Sequence, residues 1–173
     1  GGRFVILLRH IMWAVLEPNY QDVLKSNDES NILPVIKRIY RQLDTMASNM
    51  VSDMWKPAFI ANIKELPTYK KTGSKKQAAG DMLCEICNKR HYFHPVEITL
   101  SGNKYSVSDF KDEISNEHID FEDPAFYTVK YVAGRDCYHR TSQFHAIYHY
   151  VRHISNEMYD IVEYVKRTEN ISR

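Results

Sequence analysis

The stretch CEICNKRHYFHP, residues 84–95, holds the side chains most able to do chemistry in this chain. Cys84 and Cys87 are separated by two residues, a spacing that lets one tight turn bring two sulfur atoms to a single zinc ion. The same spacing occurs in redox motifs, but those require a βαβ setting with a helix directly after the cysteines. Here Pro95 and a predicted strand follow instead. The pattern therefore favours half of a zinc site over a redox pair.

The predicted second half of the site lies in GRDCYHRTSQFHAIYH, residues 134–149. His145 and His149 are four residues apart, so a helix would place both imidazoles on one face. With the cysteine pair they would complete a tetrahedral site of two sulfur and two nitrogen ligands. The predicted zinc ligands are four of the five residues Cys84, Cys87, Cys137, His145 and His149.

Cys137 competes with the histidines for a place in this site. On a regular helix that begins near Cys137, His145 lies about 12 Å further along the axis, too far to share one ion with it. Cys137 can join only if the chain before His145 is not regular helix, or if a nearer histidine such as His139 is the fourth ligand. His91 and His94 also follow the cysteine pair closely enough to reach the metal.

The zinc is expected to be structural, and the chain is not expected to be an enzyme. The sequence HAIYH lacks the glutamate of the metalloprotease helix His-Glu-x-x-His. The cysteine pair has no His-x-Glu partner upstream, which a nucleobase deaminase would need. The chain also shows neither a glycine-rich phosphate loop nor a serine in a nucleophile elbow. No small-molecule substrate is therefore predicted.

Composition indicates one globular domain. The 173 residues are 43% hydrophobic, enough to bury a core, and the net charge of +1 gives no overall attraction to nucleic acid or membrane. Three cysteines, two of them in the close pair, favour an intracellular, reduced protein over a disulfide scaffold. The apolar run FVILLRHIMWAVL is interrupted by Arg9 and His10 and is too short to span a membrane, so it predicts a core helix. The opening Gly-Gly resembles an expression scar and suggests a domain cut from a longer protein.

Hydrophobic periodicity predicts helices before residue 67. The first should end before Pro18, the second carries an apolar stripe from Ile32 to Met46, and the third has Pro57 near its start. The lysine-rich segment 67–80 is predicted to be a mobile basic loop. Alternating apolar residues from Val96, followed by Ser-Gly-Asn, predict a β-hairpin.

The predicted fold is α+β and mainly helical, in a single domain spanning residues 1–173. N-terminal helices and a long C-terminal helix pack with a zinc-stapled β-hairpin or small antiparallel sheet. The predicted parts are a helical part (3–66), the basic loop (67–80), a zinc knuckle and β-rich part (81–136) and the C-terminal helix (137–168).

Several motifs occur in an order that resembles a known family. They are an N-terminal Phe-x-x-Leu-Leu helix, Trp55 with Phe59, CEIC, ITLSGNKY at residues 98–105 and VAGRDCYHRTSQFHAIYH at residues 132–149. The chain resembles the domain of unknown function 4211 family, found near the C-termini of nuclear, chromatin-associated proteins such as glutamine- and serine-rich and proline-rich proteins. His91, His94, the lysine-rich loop and the acidic segment at residues 109–123 depart from that pattern. The resemblance implies a nuclear location and a partner-binding role, with no established activity.

Two functions follow as hypotheses. The first is a non-catalytic scaffold in which the zinc-stapled domain recruits a protein partner within a nuclear chromatin or transcription complex. The second is nucleic-acid binding, in which basic side chains around the knuckle contact phosphates. The residues proposed for that role are Lys70, Lys71, Lys75, Lys76, Lys89 and Arg90.

Overall fold

The computed structural model describes residues 2–26, 32–74, 82–91, 95–114 and 127–171. Helices in these ranges are α1 (Gly2–Leu16), α2 (Tyr20–Ser26), α3 (Ile32–Ser48), α4 (Pro57–Glu65), α5 (Val107–Asp112), α6 (Arg135–Tyr148) and α7 (Tyr150–Ile171). The strands are β1 (Thr68–Ser74), β2 (Met82–Leu83), β3 (Arg90–His91), β4 (Val96–Gly102) and β5 (Tyr127–Ala133). The predicted mainly helical α+β class with a small antiparallel sheet is confirmed.

The strands form two antiparallel sheets. The larger has the order β1-β4-β5, and the smaller pairs β2 with β3. The segment from Val96 was predicted to fold back on itself as a hairpin, and this is wrong: β4 ends at Gly102, and the chain continues into α5. β4 is instead the central strand, because its partners come from segments distant in sequence on both sides.

The lysine-rich segment differs from its prediction as a mobile loop. Residues 68–74 form β1, an edge strand of the larger sheet, while residues 75–81 lie outside the described residues. Tyr69 on this strand is half-buried, whereas Lys70 and Lys71 are exposed. Exposed lysines are a common feature of edge strands, because they discourage pairing with other chains.

The chain divides into two compact units that are not continuous in sequence. The first contains the described parts of residues 1–43, 108–121 and 150–173. α1 contacts α7 there. Buried apolar side chains come from each of its longer helices, among them Leu7, Ile11, Ile36, Ile39 and Val151. Among the described residues, no helix combines the length and apolar character required to cross a membrane.

The second unit contains the described parts of residues 44–107 and 122–149. α4 and α6 contact each other, and α6 also contacts β4. Trp55 packs edge-on against both Phe59 and Phe144, with ring centroids 5.8 Å apart in each pair. Phe59 in turn meets the ring of Tyr131 on β5 at 5.0 Å. These aromatic contacts join α4, α6 and the sheet around one core.

The final helix, predicted as one element from residue 137, is two. α6 ends at Tyr148, and α7 begins at Tyr150. His149 between them has φ −93° and ψ 11°, and its amide still bonds back to the carbonyl of His145. Toward the end of α7 the apolar side chains of Ile161 and Val165 are exposed.

Gly102 has a packing role at the end of β4. Its φ is +114°, and an added Cβ would lie 2.5 Å from Cγ of Pro67. We expect Gly102→Ala to reduce the free energy of unfolding by about 2–4 kcal/mol, because it combines backbone strain with overpacking. Urea denaturation of the purified protein measures this loss.

Gly73→Ala is the matched control on β1. A Cβ there would make only an ordinary contact, 3.7 Å from Cβ of Glu97. Its unfolding free energy should stay within about 1 kcal/mol of the wild type. Equal stability of the two variants would contradict the role assigned to Gly102.

Candidate metal centre

The two neighbouring cysteines lie in a tight turn between β2 and β3. Met82 pairs with His91 and Leu83 with Arg90. Inside this pair the Cys84 amide donates to the Lys89 carbonyl at 2.9 Å, and the Asn88 amide donates to the Cys84 carbonyl at 2.8 Å. Asn88 has φ +61°, the left-handed conformation that asparagine tolerates better than most residues. We call residues 82–91 the knuckle.

Backbone hydrogen bonds fix the knuckle to its surroundings. The Glu85 amide donates to the Val132 carbonyl of β5 at 2.9 Å, and the Val132 amide donates to Oε2 of Glu85 at 2.5 Å. On another side the Lys56 amide, just before α4, donates to the Ile86 carbonyl at 2.9 Å. Ile86 is fully buried and belongs to the core of the second unit. The position of the two thiols is therefore set by α4 and β5 together.

The third cysteine comes from the start of α6. Gly134 is the N-cap of this helix, which places Cys137 in its first turn. The Sγ atoms of Cys84, Cys87 and Cys137 lie within 4.8 Å of one another. Cys84 and Cys87 are buried, and Cys137 is half-buried. We call these three residues the thiol cluster.

Hydrogen bonding prepares one of the three thiols to be a thiolate. The bond from the Cys137 thiol lowers the pKa of Cys84 to about 4, with further help from the amides of Gly134, Cys87 and Ile86, although burial acts in the opposite direction. The same bond to Cys84, together with burial, raises the pKa of Cys137. Thiolate is the form that binds metals. These hydrogen bonds therefore favour the thiolate form of Cys84, the form that would bind a cation.

The donor set fits a soft or borderline metal ion. Three sulfur atoms within 4.8 Å of one another are close enough to share one ion, as in structural zinc sites with three or four cysteine ligands. Thiolates also select copper(I) and iron–sulfur clusters over calcium or magnesium. A single disulfide would leave the third thiol without a bonding partner, so the grouping suits a metal better than a cystine.

The two histidines predicted as ligands have other contacts in the structure. Nε2 of His145 lies 2.9 Å from the Leu66 carbonyl, and Nε2 of His149 lies 2.8 Å from the Ile63 carbonyl. Because a carbonyl can only accept, both Nε2 atoms carry the hydrogen. Carbonyls in the last turn of a helix have no partner within the helix. The histidines thus satisfy carbonyls at the C-terminal end of α4.

His149 also bonds through its second ring nitrogen. Nδ1 is hydrogen-bonded to the hydroxyl of Tyr105, and in the neutral ring that hydroxyl is the donor. The two imidazoles stack with centroids 4.0 Å apart. The spacing of four residues was predicted to serve zinc, but in the structure it aligns two rings for capping α4. Tyr105, the last residue of the ITLSGNKY motif, was not singled out from the sequence.

The geometry of α6 decides whether Cys137 and the histidines can bind the same ion. α6 is regular from Arg135 to Tyr148, so Cys137 and His145 occupy different turns of one helix. They cannot reach a common ion, as expected from the rise of about 1.5 Å per residue. Cys137 is the residue brought to the cysteine pair. His139, the alternative considered for this helix, is exposed.

The remaining predicted residues are distributed over β1 and the knuckle. Lys70 and Lys71 are exposed on β1, and Nζ of Lys71 lies 5.6 Å from the ring centroid of Tyr138. Lys89 and Arg90 are exposed in the knuckle. Lys75, Lys76 and His94 lie outside the described residues. For His91 only the backbone is described.

Fold and site define a small α+β protein in which a cysteine knuckle and a helix start form a candidate metal centre. The chain belongs to the family named domain of unknown function (DUF4211), whose model matches residues 3–110. It is also similar to an uncharacterized protein of the fission yeast Schizosaccharomyces pombe, at 29% identity over 126 residues. That match covers 70% of this chain and 19% of the yeast protein, so the chain spans about a fifth of this relative. No solved structure matches.

A substitution at His149 separates capping from metal binding. We expect His149→Leu to cost about 2–4 kcal/mol of unfolding free energy, because the Ile63 carbonyl and the Tyr105 hydroxyl both lose a partner. The metal content per chain should not change. Urea denaturation and elemental analysis of the same preparation measure the two quantities.

His139→Gln, on the exposed side of α6, is the control and should change neither quantity. A His149→Leu protein that stays folded but has lost its metal would show that His149 is a ligand after all.

Proposed function

We propose that this chain is a zinc-stapled, non-catalytic protein-interaction module of a nuclear, chromatin-associated protein. The observation that carries the proposal is the thiol cluster, whose three sulfur atoms lie within 4.8 Å of one another. The residues come from two places in the sequence, the knuckle and the first turn of α6. An ion held there connects the two.

Zinc is the proposed metal because the knuckle is too short to be stable on its own. Its two strands have only two residues each, and an isolated hairpin of that size is not stable in water. Zinc binding supplies folding free energy directly in such small elements. Zinc also accepts tetrahedral sulfur ligation without redox chemistry, which suits a structural ion in a reducing compartment.

A non-catalytic role is supported by the use of the histidines. In a catalytic site an imidazole needs a ring nitrogen directed at the substrate or at a metal-bound water. Both ring nitrogens of His149 and the Nε2 of His145 are instead hydrogen-bonded to protein groups. The nuclear setting and the partner-binding role are supported by the resemblance to nuclear, chromatin-associated proteins described above.

One arrangement on the sheet favours nucleic-acid binding as the second candidate function. Lys70 and Lys130 stand on either side of Thr99 in one row across β1, β4 and β5. Both lysines are exposed, and hydroxyl side chains occupy the next row at Thr68, Ser101 and Thr128. Two ammonium groups and several hydroxyls on one face could contact phosphates.

Titration of fluorescently labelled duplex DNA at two salt concentrations separates the two functions. Phosphate contacts predict binding at low salt that weakens steeply as salt increases. The protein-interaction proposal expects no measurable binding at either salt concentration. Lys70→Glu is the variant of choice, since it should weaken any phosphate-dependent binding without touching the core.

The zinc proposal predicts that purified protein contains about one zinc ion per chain. Cys84→Ser and Cys137→Ser should each lose the ion, and with it a large part of an apparent binding free energy on the order of 10 kcal/mol. Elemental analysis and thermal melting measure metal and stability. His139→Gln, which lies outside the cluster, should keep both.

If the cysteine variants do not fold, the zinc proposal is tested by thermal melting of the wild-type protein in the presence of a chelator. Removal of zinc should lower the melting temperature strongly, and added zinc should restore it. Metal-free protein with an unchanged melting temperature would contradict the proposal, as would Cys137→Ser protein with its full zinc content.

A further inference from the structure

Helix α1 is apolar on two opposite faces. Its inner face is formed by Leu7, Ile11, Ala14 and Val15, each no more than 2% exposed. On the outer face Val5 is 47% exposed, Trp13 45% and Leu16 36%. An apolar helix face is normally packed against another element. Packing among the residues that the structure describes accounts for the inner face only.

The outer residues follow the spacing of a helix–helix seam. Val5, Arg9, Met12 and Leu16 are separated by four, three and four positions, and Trp13 lies beside them. At 100° per residue these positions form one ridge along the helix. The same alternation of four and three places the a and d residues of a coiled coil. We call Val5, Arg9, Met12, Trp13 and Leu16 the outer ridge.

Arg9 determines which kind of partner suits the outer ridge. It is exposed at the midpoint of α1, and no ion pair connects it to a carboxylate within the described residues. If a second copy of this chain packed its ridge antiparallel to the first, the two Arg9 side chains would face each other. Like charges in contact are unfavourable, whereas an acidic residue opposite Arg9 would be attracted to it.

We propose that the outer ridge of α1 binds an amphipathic helix of a partner protein that carries leucine-type residues in the 4-3-4 spacing and a glutamate or aspartate facing Arg9. This inference rests on the proposed partner-binding function and names the surface that performs it. Trp13 is the expected anchor, because exposed tryptophans are frequent centres of binding energy at interfaces. Arg9 selects the register and excludes basic helices.

The test uses the zinc-loaded wild-type protein and two synthetic helical peptides. Both carry leucines in the 4-3-4 spacing, and they differ only in having glutamate or lysine at the position that faces Arg9. Fluorescence anisotropy should show the glutamate peptide binding about tenfold more tightly or better. Arg9→Glu should reverse this preference, and Trp13→Ala should abolish binding of both peptides.

Arg167→Glu is the matched control, because it makes the same charge change at an exposed position of α7. It should leave the preference of the wild type intact. Equal affinity for the two peptides, or a preference that Arg9→Glu fails to reverse, would overturn the proposal.

Two further measurements distinguish other occupants. Self-association in sedimentation experiments that Trp13→Ala removes would assign the ridge to a second copy, and Trp13-dependent binding to anionic lipid vesicles would assign it to a membrane. Either result overturns the proposal. Zinc content is measured on the same samples, so failure of the ridge with an intact metal centre leaves the zinc proposal standing.

Discussion

The convergence of three sulfur atoms is the constraint on which the second unit depends. Cys84 and Cys87 occupy a turn whose flanking strands are too short to persist alone, and Cys137 belongs to a helix that begins much later in the chain. Backbone bonds from Glu85 to Val132 and from Lys56 to Ile86 bring the turn to the same place from other sides. These hydrogen bonds position the knuckle, and an ion at the cluster would join it to α6.

Because of the length of α6, the thiol of Cys137 and the imidazole of His145 lie at different sites along one helix. Cys137 lies in the first turn, and His145 follows about 12 Å along the axis. The start of the helix meets the knuckle, while its end meets the last turn of α4. One segment therefore supplies a candidate metal ligand and, separately, two caps for another helix.

Local patterns in the sequence predicted those features that depend on neighbouring residues. α1 ends before Pro18, Pro57 is the first residue of α4, and the Cys-x-x-Cys spacing forms a turn. Such local patterns could not predict which strands pair when they are distant in sequence. β1 was missed because an edge strand needs few apolar residues, and here Tyr69 is half-buried while the neighbouring lysines are exposed.

The candidate metal ligands were predictable only in part, for the same reason. Helix periodicity showed that Cys137 and His145 exclude each other, but it could not decide between them. The choice depends on where α4 ends, because the carbonyls of Ile63 and Leu66 at that end accept hydrogen bonds from the two histidines. The apolar stripe of α3 shows a similar limit of local patterns. It was predicted to end at Met46, but the buried residue at that end is Ala47.

The start of α6 and the end of α4 each have side chains that bond to their terminal backbone groups. Amides at the start of a helix lack acceptors, and the Gly134 amide donates to the sulfur of Cys84 at the start of α6. The partial positive charge of that helix end favours a thiolate nearby. Carbonyls at the end of α4 lack donors, and the two histidines supply them. Sulfur acceptors at one helix end and imidazole donors at another are thus two solutions to the same physical requirement.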